Sequence, residues 1–433
     1  MSSAEYRVTT LANGLRVVSA EMPHLHSVEM MCYLKAGSRD ELPQLAGISH
    51  FLEHVLFRGT AEYPTSLELE RAFEAIGGAV NAATDVETTC FHSRLHPGHL
   101  REGAALFASM LLRPSFADVD LERRIILEEA LEDLNEKGEE INPDNLIARL
   151  LWPGHPMGQP TIGTRASIER IDAEALRRHH AAYYRPDNMV LVAAGQVDHD
   201  RMLAAAEAAF GSWRDGGAMP EPFPPPPQGG EGPESVWVRD PGSQVNLQLA
   251  FRLPGRQHPH AAALRVLRWV LSWGGTSRLM LRLRETLGLT YSVEANLALF
   301  ADCGCFAVDL ATAPANLLEA VRELLAIFEA LCAQPVGKDE LARVVHGFLF
   351  DLDFSRDHSD DLAVRYGWGE LVGYLRTLEM DRREIAAVTP DDLLAAAREF
   401  FVPANLKAAL VGPFRSTDRR EVERLLAGYR ETS

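Results

Sequence analysis

The chain repeats its own sequence at an offset of 215 residues, and this repeat constrains the fold more than any other feature. LEHVL at 52–56 corresponds to LRWVL at 267–271, and VNAA at 80–83 corresponds to ANLA at 295–298. Duplication is the economical explanation, with chance similarity between apolar stretches as the alternative. We therefore expect two halves with related folds.

A segment rich in proline and glycine, residues 216–235, lies between the two halves. Such a composition disfavours regular structure and is typical of a linker. The chain has 433 residues, which exceeds the roughly 250 to 300 residues at which a single hydrophobic core stops growing. The sequence thus predicts one domain over 1–215, the linker, and a second domain over 236–433.

Strand-like and helix-like segments are mixed within each half. Each half opens with strand-like text, continues with apolar residues at helical spacing over 47–57 and 261–273, and then returns to strand-like text. Strict alternation of strands and helices is absent from this pattern. It predicts the α+β class, with each half a mixed sheet covered by helices mainly on one side.

The charge balance argues against several classes of partner. Lys and Arg number 43 and Asp and Glu number 61, which gives a net charge of −18. This charge opposes non-specific binding to nucleic acid or to an anionic membrane surface. The five cysteines form no C-x-x-C motif, and the amino terminus lacks a signal-peptide pattern. We expect a cytoplasmic protein without a membrane span.

Residues 50–54 read H-x-x-E-H in a helical context. His50 and His54, four residues apart, share one helix face and are able to bind one metal ion. Neutral imidazole suits zinc, and the Glu53 carboxylate is placed to accept a proton from a water molecule at the metal. At the offset of 215, these three positions hold Arg, Arg and Trp in the second half, so the sequence predicts one zinc per chain.

A third zinc ligand is expected from the acidic segment 118–136. Within it, Glu122, Glu129 and Glu136 recur every seven residues along one face of a predicted helix. A solvated acidic helix face explains the segment equally well. Periodicity does not choose between Glu128 and Glu129 as a ligand.

Two further histidines, His179 and His180, lie in a predicted helix over residues 173–184. Two arginines precede them in the sequence. The pattern favours a solvated helix face without a role in chemistry.

Several motifs together resemble a known family. They are NGLRVV, LKAGSRDE, the H-x-x-E-H helix, GGAVNAATDVETT, ERRIILEE and YYRPDNMVLVAAG in the first half, and GGTSRLMLRLRETLGLTYSV in the second. In combination the chain resembles the pitrilysin, insulysin and mitochondrial processing peptidase family of zinc metallopeptidases with an inverted motif. Its length resembles the short bacterial-type branch, whose chains contain two repeats.

The resemblance assigns roles around the motif. It implies that His50, His54 and Glu129 bind zinc and that Glu53 is the general base. It also implies that Glu122 is a carboxylate that orients a ligating histidine without touching the metal.

The resemblance also implies a substrate-binding set. Arg284 and Tyr291 in the second half look like the pair that binds a substrate carbonyl and stabilises the oxyanion, although surface charge and a half-buried aromatic ring are their ordinary roles. Asn81 and Ala82 lie in a segment that resembles an edge strand to which the peptide substrate adds as a further β-strand. A buried strand without a ligand is the alternative.

From this resemblance we expect a zinc-dependent metalloendopeptidase that hydrolyses peptides or unfolded segments with a zinc-activated water. The resemblance implies a homodimer in which zinc of one chain faces Arg284 and Tyr291 of the other, forming composite active sites. The alternative is a non-catalytic partner or scaffold subunit of a heterodimeric peptidase, since the family contains such subunits.

Overall fold

The computed structural model describes residues 5–214, 219–227, 230 and 232–430. Parts of the predicted linker, namely 216–218, 228–229 and 231, lie outside the described residues. The chain forms two compact units. The first unit comprises Met1–Ala130, Gln159–Phe223 and Asp353–Leu378, and the second comprises Leu131–Gly158, Pro224–Leu352 and Glu379–Ser433.

The first unit contains a six-stranded mixed sheet. Its strands are β1 (Arg7–Thr10), β2 (Arg16–Glu21), β3 (Val28–Leu34), β4 (Val80–Thr84), β5 (Thr89–Leu95) and β6 (Met189–Gly195). They lie in the order β1-β2-β6-β3-β5-β4. Strands β2 and β6 pair in parallel, whereas the other neighbours are antiparallel. Strand β4 is therefore an edge strand.

The second unit contains a five-stranded mixed sheet. Its strands are β7 (Glu234–Val238), β8 (Val245–Pro254), β9 (Thr290–Leu299), β10 (Cys303–Thr312) and β11 (Leu406–Val411). They lie in the order β7-β11-β8-β10-β9. Only β7 and β11 pair in parallel, and β9 is an edge strand.

The two sheets are copies of one arrangement. The order β2-β6-β3-β5-β4 in the first unit matches β7-β11-β8-β10-β9 in the second, with parallel and antiparallel pairs in the same places. Adding 215 to the bounds of β4 gives 295–299, which lies within β9. The predicted fold class, two related α+β halves with mixed sheets, is confirmed.

The helices vary from single turns to 17 residues. They are α1 (Ile48–Leu56), α2 (Ser66–Glu74), α3 (Leu100–Leu112), α4 (Val119–Glu129), α5 (Pro143–Leu151), α6 (Arg165–Ile168), α7 (Ala173–Tyr183), α8 (His199–Phe210), α9 (Ala261–Ser272), α10 (Leu317–Ala333), α11 (Lys338–Phe354), α12 (Ser359–Ala363), α13 (Gly369–Leu371), α14 (Leu378–Ala387), α15 (Pro390–Phe400) and α16 (Ser416–Ala427). Two short π-helical segments cover Met280–Thr286 and Val364–Trp368.

The core of the first unit lies between one face of its sheet and the helices. Met30 of β3 and Phe91 of β5 are fully buried there together with Phe51 of α1 and Phe107 of α3. Alternate residues of a strand point to opposite faces, so the other face of β3 needs a cover of its own. All seven residues of β3, and all seven of β6, are buried.

That cover comes from a segment of the other sequence half. In the first unit, α12 packs on β3 and β6, and in the second unit α5 packs on β8 and β11. The segments 353–378 and 131–158 are thus exchanged between the halves. For these two segments, the compact units do not follow the order of the sequence on either side of 216–235.

Strand β7 begins at Glu234, so the last two residues of the predicted linker are part of the second sheet. The described residues 219–227 have no regular secondary structure. Within the described chain, none of the helices is both long and apolar enough to cross a membrane.

Candidate metal centre

A glycine precedes helix α1 because the chain at this point lies close to another segment. Gly47 caps the helix with φ of +90°, a value that favours glycine. A Cβ at this position would lie 2.3 Å from the carbonyl oxygen of Ile162. The buried Glu41 carboxylate accepts hydrogen bonds from the amides of Gly47 (2.6 Å) and Ser49 (2.8 Å), and satisfies donors that a helix start leaves free.

Helix α1 presents two faces with different chemistry. Phe51, Leu52 and Val55 are fully buried in the core. His50 and His54, one turn apart, lie together with ring centroids 4.6 Å apart. The apolar face therefore fixes the position of the helix, and the two imidazoles project side by side from its other face.

Glu129, the last residue of α4, reaches both histidines. Its Oε1 lies 3.7 Å from His50 Nε2 and its Oε2 lies 3.6 Å from His54 Nε2. One donor atom from each of the three residues lies within 4.8 Å of the other two. Two imidazoles and a carboxylate match the donor set of a catalytic zinc site with three protein ligands. Glu128 is exposed and does not belong to the cluster of His50, His54 and Glu129 in the described part of the chain.

Helix α4 is shorter than the sequence predicts. It ends at Glu129, and Ala130–Asp133 continue as a tighter 3₁₀ turn. Glu136 therefore lies beyond the helix face that carries Glu122 and Glu129. The predicted seven-residue recurrence holds for Glu122 and Glu129 only. The segment contains no proline or glycine to signal this end in the sequence.

Glu122 holds His54 in a defined orientation. Its Oε2 lies 3.0 Å from His54 Nδ1, and Arg58 Nε donates a hydrogen bond to its Oε1. Burial opposes ionisation of Glu122, but the hydrogen bonds from His54 and Arg58 hold its pKa below the ordinary value. An ionised Glu122 accepts a hydrogen bond from Nδ1–H of His54, and this orientation directs Nε2 of His54 toward Glu129.

His50 is held neutral. Burial and the nearby His54 lower the pKa of His50 to about 4. A neutral imidazole is the form that ligates zinc. At His54 burial lowers the pKa, but the hydrogen bond to Glu122 and the charges of Glu122 and Glu129 raise it above the ordinary value, so the protein surroundings favour the zinc-binding form at His50 alone.

Glu53 lies on α1 between the histidines in sequence and is 8% exposed. Thr84 Oγ1, at the end of β4, donates a hydrogen bond to Glu53 Oε2 at 2.5 Å. Burial raises the pKa of Glu53, and the hydrogen bond from Thr84 and the charge of His54 oppose this shift. Sequence reasoning did not select Thr84. The available signal was its position two residues after Ala82, because alternate residues of a strand lie on the same face.

Asn81 and Ala82 lie on the edge strand β4, where the sequence predicts them. Each pairs on one side only, with His92 and Phe91 of β5 respectively. Asn81 is exposed and Ala82 is half-buried. Among the described residues no strand pairs with the other side of β4, and an unpaired strand edge is a type of surface to which a further strand adds.

In the second unit, Arg284 and Tyr291 lie against each other. Arg284 belongs to the π-helical segment Met280–Thr286 and Tyr291 to the start of β9. The guanidinium carbon lies 5.0 Å from the centroid of the Tyr291 ring, a cation–π contact. Tyr291 is 80% exposed, and Arg284 lines an open groove of about 650 Å³.

The prediction that His179 and His180 face solvent is wrong. His179 Nε2 lies 3.1 Å from the hydroxyl of Ser49, and His180 Nε2 donates to the carbonyl of Leu111 at 2.7 Å. Burial lowers the pKa of His179 to about 3. These side chains connect α7 to α1 and α3, because α7 turns this face inward and its arginines outward.

Two family comparisons cover most of the chain. Residues 16–165 match the family described as insulinase (peptidase family M16), and residues 170–348 match the peptidase M16 inactive domain. The second range contains none of the zinc-ligand candidates.

Relatives of similar length align over nearly the whole chain. An uncharacterized zinc protease of Mycobacterium bovis is 34% identical over 421 residues, which are 95% of this chain and 94% of the relative. The uncharacterized zinc protease YmxG of Bacillus subtilis is 29% identical over 415 residues, which are 93% of this chain and 97% of the relative.

Solved structures share the fold. A protease from Helicobacter pylori superposes with a TM-score of 0.86 at 22% identity and covers 94% of this chain and 99% of its own. A peptidase M16 inactive domain from Pseudomonas fluorescens superposes with a TM-score of 0.84 at 20% identity, covering 95% and 98%.

Proposed function

This chain belongs to the insulinase (M16) peptidase family, and we propose that it is a zinc-dependent metalloendopeptidase that hydrolyses peptides or unfolded segments. One observation carries the proposal. Donor atoms of His50, His54 and Glu129 converge within 4.8 Å of one another, and the carboxylate of Glu53 lies on the same helix as the two histidines.

In the proposed mechanism, His50, His54 and Glu129 would hold zinc through their two imidazoles and one carboxylate. Zinc, when bound, supplies Lewis acidity toward water and the scissile carbonyl. Glu53 accepts the proton of the attacking water and passes it to the leaving amine. Glu122 keeps the proton of His54 on Nδ1.

The proposed substrate is a peptide in extended form. The peptide adds to the free side of β4 beside Asn81 and Ala82, so that main-chain hydrogen bonds bind varied sequences. Arg284 binds a substrate carbonyl, and the hydroxyl of Tyr291 stabilises the oxyanion of the transition state. The exposure of Tyr291 supports a role toward a group outside its own unit.

The test is hydrolysis of an unstructured polypeptide by the purified chain before and after removal of zinc. We expect hydrolysis that stops with a zinc chelator and returns when zinc is restored. Glu53→Gln, which keeps the shape of the side chain but not its basicity, is expected to retain zinc and to lose at least about a hundredfold in kcat. Chelator-resistant hydrolysis would remove the basis of the proposal.

We further propose a homodimer with two composite sites. The chain carries both the zinc-site candidates and the Arg284 and Tyr291 pair, which supports two identical subunits. Mixing a Glu53→Gln chain with a chain bearing Arg284→Ala and Tyr291→Phe is expected to restore hydrolysis well above either variant alone. Absence of recovery after verified subunit exchange would contradict composite sites.

The second candidate function is a non-catalytic partner or scaffold subunit. A match to a domain described as inactive supports it. A scaffold needs neither a base at Glu53 nor an imidazole oriented by a carboxylate at His54. The presence of both disfavours the scaffold function. The same chelator experiment separates the two candidates.

The proposed setting is a reducing compartment, the cytoplasm. None of the five cysteines, all of which lie in the described chain, forms a disulfide, which supports this setting. No nucleic acid or membrane partner is part of the proposal, because the net charge of −18 opposes both.

A further inference from the structure

Strand β4 carries different side chains on its two faces. Val80, Ala82 and Thr84 alternate with Asn81 and Ala83 along the strand. The Thr84 face is directed to α1, since β4 packs on this helix and Thr84 donates its hydroxyl hydrogen bond to Glu53. The edge strand therefore provides the hydrogen bond that holds the proposed general base.

A glutamate carboxylate without a partner rotates easily about its last torsion, which has a broad profile. The hydrogen bond between Thr84 Oγ1 and Glu53 Oε2 restricts this rotation. The restriction matters because proton transfer requires the base within hydrogen-bond reach of the proton, and a small displacement costs rate. Thr84 itself is anchored by pairing with Thr89 of β5.

We propose that Thr84 is a positioning residue for proton transfer, whose hydroxyl fixes the rotation of the Glu53 carboxylate relative to the edge strand that receives the peptide. The inference rests on the proposed function. The main chain of β4 aligns the peptide, and the Thr84 side chain of the same strand aligns the Glu53 carboxylate. One strand therefore determines the positions of both the substrate and the base. Thr84 does not touch the reacting atoms and acts through Glu53.

The cross-strand partner of Thr84 offers a matched control. Thr89 lies directly opposite on β5 and also donates its hydroxyl, but to the carbonyl oxygen of Ala36 at 2.9 Å. Thr89 is buried and makes no contact with Glu53 among the described hydrogen bonds. Thr84→Val and Thr89→Val each remove one hydroxyl from the same pair of strands.

The experiment measures kcat, KM and zinc content of the full chain with an internally quenched unstructured peptide. Thr84→Val is expected to lower kcat by about tenfold, the effect of one lost hydrogen bond to a charged group, with KM and zinc content unchanged. Thr84→Ser, which restores the hydroxyl, is expected to recover most of kcat. Thr89→Val is expected to lower the melting temperature and to leave kcat unchanged.

Three outcomes overturn the inference. They are an unchanged kcat in Thr84→Val, a kcat loss in Thr89→Val equal to that in Thr84→Val, and a rise in KM alone. If Thr84→Val does not melt cooperatively, Thr84→Ala and Thr84→Ser are compared, with the same tenfold difference in kcat expected. Failure of the proposed function is a separate result, because it requires wild-type protein without chelator-sensitive hydrolysis.

Discussion

Glu129 and Glu128 are adjacent in sequence but differ in what they reach. Both glutamates are exposed, but only Glu129 brings its carboxylate near the Nε2 atoms of His50 and His54. The choice depends on where α4 ends and how it packs on α1. A helical period alone does not supply this information, because both residues fall near the same turn.

Neutralising the two glutamates separately tests the assignment of the third ligand. Glu129→Gln is expected to lose stoichiometric zinc, because an amide is a poorer zinc ligand than a carboxylate. Glu128→Gln is the matched control and is expected to keep zinc and activity. The measurement is zinc content after gel filtration, and zinc loss in the Glu128 variant instead would reverse the assignment.

The resemblance selected most of the site, and single hydrogen bonds account for what the sequence did not reveal. His50, Glu53 and His54 follow from a spacing that places them on one helix, and Glu122 and Glu129 follow from the resemblance. Thr84 and Arg58 contact site residues that lie 31 and 64 positions away in the chain. Such contacts leave no periodic signal in the sequence.

At the scale of elements, α7 is joined to α1 by the contact of His179 with Ser49. Burial lowers the pKa of His179 to about 3, compared with about 6.5 in an unfolded chain. Below pH 6.5 the unfolded chain binds a proton that the folded chain excludes. The contribution of His179 to stability is therefore complete above pH 6.5 and decreases as pH falls toward 3.

Replacing this histidine is expected to reduce acid sensitivity. Between pH 6.5 and 5, the free energy of unfolding of His179→Gln should fall by about 1.6 kcal/mol less than that of wild type. His24→Gln, at an exposed loop position, is the control and should follow wild type. Urea titrations at both pH values provide the measurement, and parallel curves for wild type and His179→Gln would contradict the account.

The repeated strands were predictable and the covering segments were not. Short apolar runs mark β3 and β6, and the offset of 215 relates the two sheets. The exchange of 131–158 and 353–378 depends on contacts between residues far apart in sequence. Gly367 illustrates this, because a Cβ there would lie 2.4 Å from the side chain of Val192.

At the scale of the whole chain, the exchange makes each compact unit depend on both sequence halves. Tyr366 is fully buried, and its segment covers the outer face of β3 and β6. A fragment of residues 1–215 lacks this cover and exposes apolar strands to water. Its counterpart, 216–433, lacks α5 on its own sheet.

We expect the fragment 1–215 alone to aggregate or to unfold without a cooperative transition. Coexpression with 216–433 is expected to give a complex that melts cooperatively, because each fragment supplies the segment that the other lacks. Thermal unfolding followed by circular dichroism checks both. A cooperative transition of 1–215 alone, similar to that of the full chain, would show that the exchanged segments are dispensable.

The central claim is that two imidazoles and one carboxylate of this chain bind zinc, and X-ray absorption at the zinc edge of the purified protein tests it most directly. The account predicts one zinc per chain with two imidazole nitrogens at about 2.0 to 2.1 Å, a carboxylate oxygen, and no sulfur. Protein that holds no zinc after zinc is supplied, or zinc with cysteine sulfur at about 2.3 Å, would contradict it.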